Sequence, residues 1–164
     1  REHLESLEVT RRLVGLSAGT LEVALATAGK SLAIALVLPV DTRAVVLAID
    51  DNADALGLIE RALSGTRYGF VGARNADEAL ALALESAPAA ILVDIMLPGV
   101  DGWRLLGRLR EHPQVRGTPI IVCTILPQAE LALALGAAAF LHKPFTREAL
   151  LALLDRCLAP PAGQ

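Results

Sequence analysis

The sequence predicts an α/β fold, a doubly wound five-stranded parallel sheet with helices on both faces. Three observations carry that expectation. Residues 44–158 alternate five short apolar runs with five amphipathic stretches, the pattern of repeated β–α units with right-handed crossovers. The first, third and fourth runs are rich in β-branched residues, which suits strands buried on both faces. The chain has 164 residues, of which 54% are hydrophobic, against a prior of roughly 150 residues per domain. One domain plus an appendage is therefore expected, large enough to bury a core.

The runs are 44–49 (AVVLAI), 67–72 (RYGFVG), 89–93 (AAILV), 118–123 (TPIIVC) and 138–142 (AAFLH). Helices are expected near 53–64, 76–87, 101–112, 127–136 and 146–158. In the first of them Leu56, Ile59 and Leu63 recur at helical spacing. Asn75 with Glu78 reads as a capping box, and Thr146 as an N-cap. Leu80, Leu82 and Leu84, and again Leu131, Leu133 and Leu135, alternate as a strand would. Their Ala, Leu and Glu neighbours favour helix, and both segments are read as helical. Residues 1–43 form an appendage, with helices over 4–16 and 20–29 and a strand over 32–38 closed by Pro39. Residues 159–164 are a tail.

Composition excludes several function classes. Fifteen basic residues against eighteen acidic ones leave a net charge of −3, which argues against direct nucleic-acid binding. Aromatic residues make up 3%, so a stacking platform for single strands is not expected. The apolar segment 31–40 is far short of the about 20 residues a membrane span needs. No secretory layout opens the chain, which starts at Arg1 as a piece of a longer protein would. Cys123 and Cys157 have no metal or disulfide spacing, and a cytoplasmic setting is expected.

In a parallel sheet the site lies beyond the carboxyl ends of the strands. The first strand runs into Asp50-Asp51, the third ends at Asp94, the fourth at Thr124 and the fifth at Lys143-Pro144. Three carboxylates at close range repel one another unless a cation sits among them. Mg²⁺, a hard dication with oxygen ligands, resolves that conflict, and Lys143 adds a further positive charge. A carboxylate so held is a nucleophile for phosphoryl transfer. Asp94, at the end of the central strand, is the expected acceptor. Asp51 is expected to bind the metal directly, Asp50 through a coordinated water, and Met96 through its backbone carbonyl. Thr124 would donate its hydroxyl to the phosphate.

The set Ile49-Asp50-Asp51-Asn52, Val93-Asp94-Ile95-Met96-Leu97-Pro98-Gly99-Val100-Asp101-Gly102, Cys123-Thr124 and Leu141-His142-Lys143-Pro144-Phe145 resembles the receiver domain of bacterial two-component response regulators. The resemblance covers about residues 44–158 and implies a flavodoxin-like sheet of order 2-1-3-4-5. It implies a histidine kinase or phosphotransfer protein as partner, with phosphohistidine as donor. It also implies a switch formed by Thr124 and Phe140, and a cis peptide at Lys143–Pro144. Two departures stand out. Ile125 occupies a place the family usually gives to Ala or Gly, where it should slow attack by water. The stretch from Thr124 to Lys143 is shorter than usual, at a face many receivers use for dimerisation or output.

Two other functions compete with a phosphoacceptor. One is a receiver-like interaction module that no longer cycles. The other is an aspartyl-phosphate phosphatase of the haloacid-dehalogenase type, which needs a D-x-D motif where this chain has adjacent Asp50-Asp51. No enzyme turnover beyond its own phosphorylation and dephosphorylation is expected. Residues 1–43 read either as the end of a kinase ATP-binding domain in a hybrid kinase or as an arm that forms a homodimer. No DNA-binding domain is expected after Cys157, and transcriptional output would then belong to a partner or to a missing segment. Tyr68 and Trp103 are expected to pack, and Arg104, Arg108 and Arg110 to form a solvated helix face.

Overall fold

The computed structural model describes residues 9–10, 12, 14, 20–25, 32–37, 43–99 and 101–159. The chain divides into two compact units, Arg1–Thr42 and Arg43–Gln164. In the first unit Val9, Thr10, Arg12 and Val14 are helical, and the rest of the helix expected over 4–16 lies outside the described residues. Strand β1 (Thr20–Leu25) pairs antiparallel with β2 (Leu32–Val37), from Thr20 opposite Val37 to Leu25 opposite Leu32. This corrects the helix expected over 20–29, of which residues 26–29 lie outside the described set. Leu21, Ala24 and Leu25 fit a helical period, but Leu21, Val23 and Leu25 fit a strand period equally. A non-local partner strand decides between them.

The second unit alternates strand and helix throughout. Its elements are β3 (Ala44–Ile49), α1 (Ala53–Leu63), β4 (Tyr68–Ala73), α2 (Ala76–Ser86), β5 (Ala90–Val93), α3 (Gly102–Glu111), β6 (Ile120–Thr124), α4 (Ala129–Ala134), β7 (Ala139–His142) and α5 (Arg147–Cys157). The strands lie in the order β4-β3-β5-β6-β7 with every pair parallel. Counted within the unit this is 2-1-3-4-5, a flavodoxin-like sheet.

Side chains on a strand alternate between faces, and here both faces are covered. Leu47, Ile49, Ile91, Val93, Ile120 and Val122 join a core with Ala76, Ala79 and Ala83 of α2 and Leu105, Leu106 and Leu109 of α3. Val46, Ala48, Leu92 and Ile121 face the other way, onto Leu56, Ile59 and Leu63 of α1 and Leu150, Leu153 and Leu154 of α5. The near absence of rings in this core follows from the composition. Both ambiguous leucine-rich segments are helical, and α4 is the short one, six residues long.

Both expected N-cap bonds are present, though the Glu78 carboxylate accepts from the Arg74 amide at 2.8 Å, one residue before the position a capping box requires. Asn75 Oδ1 accepts from the Glu78 amide at 2.9 Å, and Thr146 Oγ1 from the Ala149 amide at 3.2 Å. Two polar links were not foreseen. Tyr68, buried at the start of β4, donates its hydroxyl to Asp155 of α5, and Arg67 reaches the same carboxylate at 2.7 Å. Burial, then the bond to Asp155, raises the Tyr68 pKa above its ordinary value. Tyr68→Phe is expected to cost about 1 kcal/mol, since it removes the hydroxyl's bond to Asp155 and the bond it accepts from Arg67 Nη2 at 3.0 Å, while the Arg67–Asp155 pair stays. A urea unfolding midpoint measures it, and an unchanged midpoint would show the bonds to be idle.

The second link corrects the expectation for α3. Arg104 and Arg108 are exposed, but Arg110 is half-buried. Its Nη1 donates to the carbonyls of Arg116 and Thr118, both at 3.1 Å, and ties the loop before β6 to the helix. Burial pulls the Arg110 pKa down.

Candidate functional site

The site is assembled by backbone ladders that run one residue past the strands. The Asp50 amide donates to Ala73 O at 3.0 Å, the Asp94 amide to Ile49 O at 2.9 Å, and the Lys143 amide to Thr124 O at 3.0 Å. Each polar residue is thus fixed beside the end of its neighbouring strand. The Lys143–Pro144 peptide, just beyond β7, is cis.

The ladders bring two carboxylates onto one ammonium. Lys143 Nζ lies 2.5 Å from Asp50 Oδ2 and 2.7 Å from Asp94 Oδ2, with all three side chains largely buried. The remaining carboxylate oxygens turn to the backbone. Asp50 Oδ1 accepts from the Asn52 amide at 3.0 Å, and Asp94 Oδ1 from the Met96 amide at 2.9 Å. Burial lowers the Lys143 pKa, but the hydrogen bonds and charges of Asp50 and Asp94 outweigh it, so the net shift is upward. The lysine therefore stays an ammonium.

Thr124 is fully buried at the end of β6, and its Oγ1 accepts from the Leu126 amide at 3.4 Å. Phe140, in β7, is half-buried against the core that holds Val122 and Ala132. Beside Thr124, burial pushes the Cys123 thiol up to about 12, so it is an inert core residue rather than a nucleophile. His142 is exposed.

Asp51 stands outside the ion pairs of Lys143. Its carboxylate makes no ion pair or hydrogen bond among the described residues, while its backbone carbonyl accepts from Arg74 Nη2 at 3.2 Å and Nε at 3.4 Å. Among the described residues no three Asp, Glu, His or Cys side chains stand at metal-holding spacing. Asp50 and Asp94 share the Lys143 ammonium, and the Asp51 carboxylate takes no part in that contact. By donor chemistry the set still fits a hard dication, since Asp50, Asp51, Asp94 and the Met96 carbonyl offer oxygen alone.

Two positioning residues escaped the sequence reading. Asn52 caps α1, accepting from the Asp54 amide at 2.8 Å and the Ala55 amide at 3.4 Å, and so fixes the turn that carries Asp50 and Asp51. The signal was available, an Asn directly before the Leu56, Ile59, Leu63 pattern. Arg74, which holds the Asp51 carbonyl, had none.

Residues 46–155 match the response regulator receiver domain family. The chain belongs to it. Receivers are the phosphoacceptor modules of two-component signal transduction. The chain is 33% identical over 121 residues to the DNA-binding transcriptional regulator NtrC of Salmonella typhimurium, across 71% of this chain and 25% of that protein. It thus spans about a quarter of the length of that relative. Among solved structures it is similar to the chemotaxis protein CheY4 of Vibrio cholerae, with a TM-score of 0.66 and 32% identity, covering 71% of this chain and 99% of that one. It is also similar to the receiver domain of the sensor histidine kinase PA1611 of Pseudomonas aeruginosa, which has a magnesium ion in its active-site cleft. That match has a TM-score of 0.66 at 28% identity, over 72% of this chain and 99% of that one. No helix among the described residues of this receiver is long and apolar enough to cross a membrane.

Proposed function

We propose that residues 44–158 are a Mg²⁺-dependent phosphoacceptor that takes a phosphoryl group on Asp94, with residues 1–43 a separate appendage and 159–164 a tail. The observation that carries this reading is the Lys143 ammonium bridging Asp50 and Asp94 at three strand ends. The donor is the phosphohistidine of a cytoplasmic histidine kinase or phosphotransfer protein.

Asp94 presents a carboxylate oxygen in line with the phosphorus–nitrogen bond, and neutral histidine leaves once its ring nitrogen is protonated. Lys143 gives up one of its two carboxylate contacts and follows the charge onto a phosphoryl oxygen. Thr124 releases the Leu126 amide and donates its hydroxyl to the same group. Asp50, Asp51, Asp94 and the Met96 carbonyl would hold Mg²⁺, which neutralises phosphoryl charge. The new contacts favour one of two packings, and Phe140, beside Val122, reports the change by packing alone. In this way phosphorylation alters partner affinity without any turnover of a separate substrate.

The test is incubation of the full chain with acetyl phosphate and Mg²⁺, read by intact mass and peptide mapping. Gain of one phosphoryl group on Asp94, and none in Asp94→Asn, is the expected result. An unmodified Asp94 would favour a non-cycling interaction module instead, and release of phosphate from small esters a phosphatase. For residues 1–43, solution mass with and without the appendage tests a homodimer.

A further inference from the structure

Leu58 and Ile125 are 60% and 56% exposed, and both line one cavity of about 560 Å³. That volume falls in the range of about 300–1,000 Å³ typical of small-molecule sites. Its walls come from α1, from the residue after β6, and from the segment that leads from Lys143 into α5. Ala55, Leu58, Ile59 and Ala62 share one helical face, and Pro144 and Phe145 continue the apolar wall. The charged groups of the lining are Arg61, Lys143 and Arg147, three cations with no carboxylate among them. Lys143 is already paired with Asp50 and Asp94, but among the described residues neither arginine forms an ion pair. Arg147 donates from Nε to Ala62 O at 2.9 Å and from Nη2 to Ser64 O at 3.3 Å, which fixes its place and leaves its charge unbalanced. Arg61 lies back along α1, where a Cβ on Gly57 would meet its Nη1 at 3.3 Å. Glycine is a poor helix residue, and here its missing side chain leaves the room that this guanidinium takes.

We propose that this cavity binds a small amphipathic monoanion, of the class of a medium-chain carboxylate. Its hydrocarbon tail lies against Leu58, Ile125 and Phe145, and its carboxylate meets Arg61 and Arg147. The apolar walls favour the ligand by taking that tail out of water, which a small hydrated ion cannot match. The guanidiniums select the charge, since they donate charge-assisted hydrogen bonds to a carboxylate in a forked geometry that suits it. An ammonium on the same tail would meet two unbalanced cations and be repelled. The concave shape favours a single tail over a flat bilayer, and the net charge of −3 opposes an anionic membrane surface. The inference does not rest on Asp94 being the acceptor, because no phosphoryl group takes part in binding.

The test titrates the full chain with decanoate by calorimetry, at neutral pH and below the concentration at which decanoate forms micelles. One site with a dissociation constant on the order of 0.1 mM is the expected result. Decylamine keeps the tail and reverses the charge, while acetate keeps the charge and loses the tail. Each is expected to bind about tenfold more weakly or worse. Arg61→Gln should weaken decanoate by about fivefold, and Leu58→Glu by about tenfold or more, since it removes apolar wall and adds a like charge. Both positions are exposed, so urea unfolding midpoints should stay at the wild-type value and report an intact fold. Decanoate binding unchanged in both variants would put the ligand elsewhere and overturn the site. No binding to wild type at about 2 mM, twentyfold above the expected constant, or equal binding of decylamine, would overturn it as well. Cosedimentation with phosphatidylglycerol vesicles in place of decanoate binding would overturn it in favour of a membrane surface. Uptake of a phosphoryl group on Asp94 is a separate measurement, and none of these outcomes changes it.

Discussion

Lys143→Met is expected to destabilise the fold by about 3 kcal/mol in metal-free buffer, because it strands two buried carboxylates against each other. Methionine fills much of the aliphatic stem's volume, so the loss is one of charge rather than of packing. Asp50 is the more deeply buried partner, and it keeps only the Asn52 amide on its other oxygen. Millimolar Mg²⁺ should then restore stability to the variant more than it stabilises wild type, where the ammonium competes for the same oxygens. Thermal midpoints across a Mg²⁺ titration give the answer without any phosphoryl donor. If Mg²⁺ leaves the variant's midpoint where it was, Asp50 and Asp94 are not metal ligands.

The same contact sets a pH dependence with a definite sign. The Lys143 pKa is raised from 10.5 in the folded state. Its contribution is therefore complete below 10.5 and lost as pH rises through the higher folded value. Tyr68, raised from 10.0, adds a second loss in the same direction. Wild type is expected to weaken on the alkaline side of pH 10. Lys143→Met should lack the lysine's share of that decline, and Tyr68→Phe the tyrosine's.

What could be read from the chain follows from how local each determinant is. Strands such as Ala44–Ile49 and Ile120–Thr124 are covered on both faces, so their apolar character is nearly continuous and their ends are marked by the first polar residue. Those end residues are the site, which is why Asp50, Asp94, Thr124 and Lys143 could be placed beside one another. Caps at Asn75 and Thr146 are equally local. The pairing of β1 with β2 was missed because Leu, Ala and Val satisfy both periods, and its register depends on a partner strand in a separate segment.

Side-chain partners far apart in sequence were beyond reach. Nothing near Tyr68 points to Asp155, and nothing near Arg110 shows that the Arg116 and Thr118 carbonyls fold back onto it. Choice among equivalents was also hidden. Three carboxylates were visible at strand ends, yet only the side-chain geometry shows that Lys143 takes Asp50 and Asp94 and leaves Asp51 outside. The cavity beside Ile125 is tertiary as well, since Leu58 comes from α1 and Lys143 and Phe145 from the segment after β7.

Two glycines in the same helix are expected to respond to alanine in opposite ways. At Gly102, the first residue of α3, an added Cβ would lie 2.4 Å from the Ile95 carbonyl oxygen and 2.5 Å from the Ile95 Cα. Both are backbone atoms, and Ile95 is itself buried, so the clash cannot be relieved by turning a side chain. The helix end must move away from the turn that follows Asp94, which also strains the Asp101 cap on the Trp103 amide at 3.0 Å. Gly102→Ala should cost about 3 kcal/mol as an overpacking change. It should also slow phosphorylation, because Ile95 adjoins Asp94. Gly107, in the middle of the same helix, has nothing within 4 Å of its would-be Cβ. There alanine removes backbone freedom from the unfolded chain at no steric cost, and should stabilise by about 0.5–1 kcal/mol. Urea unfolding midpoints of the two variants, with unchanged denaturant slopes, measure both effects. A Gly102→Ala midpoint at or above wild type would mean that α3 does not press on the Asp94 turn, and the close approach would have no part in holding the acceptor in place.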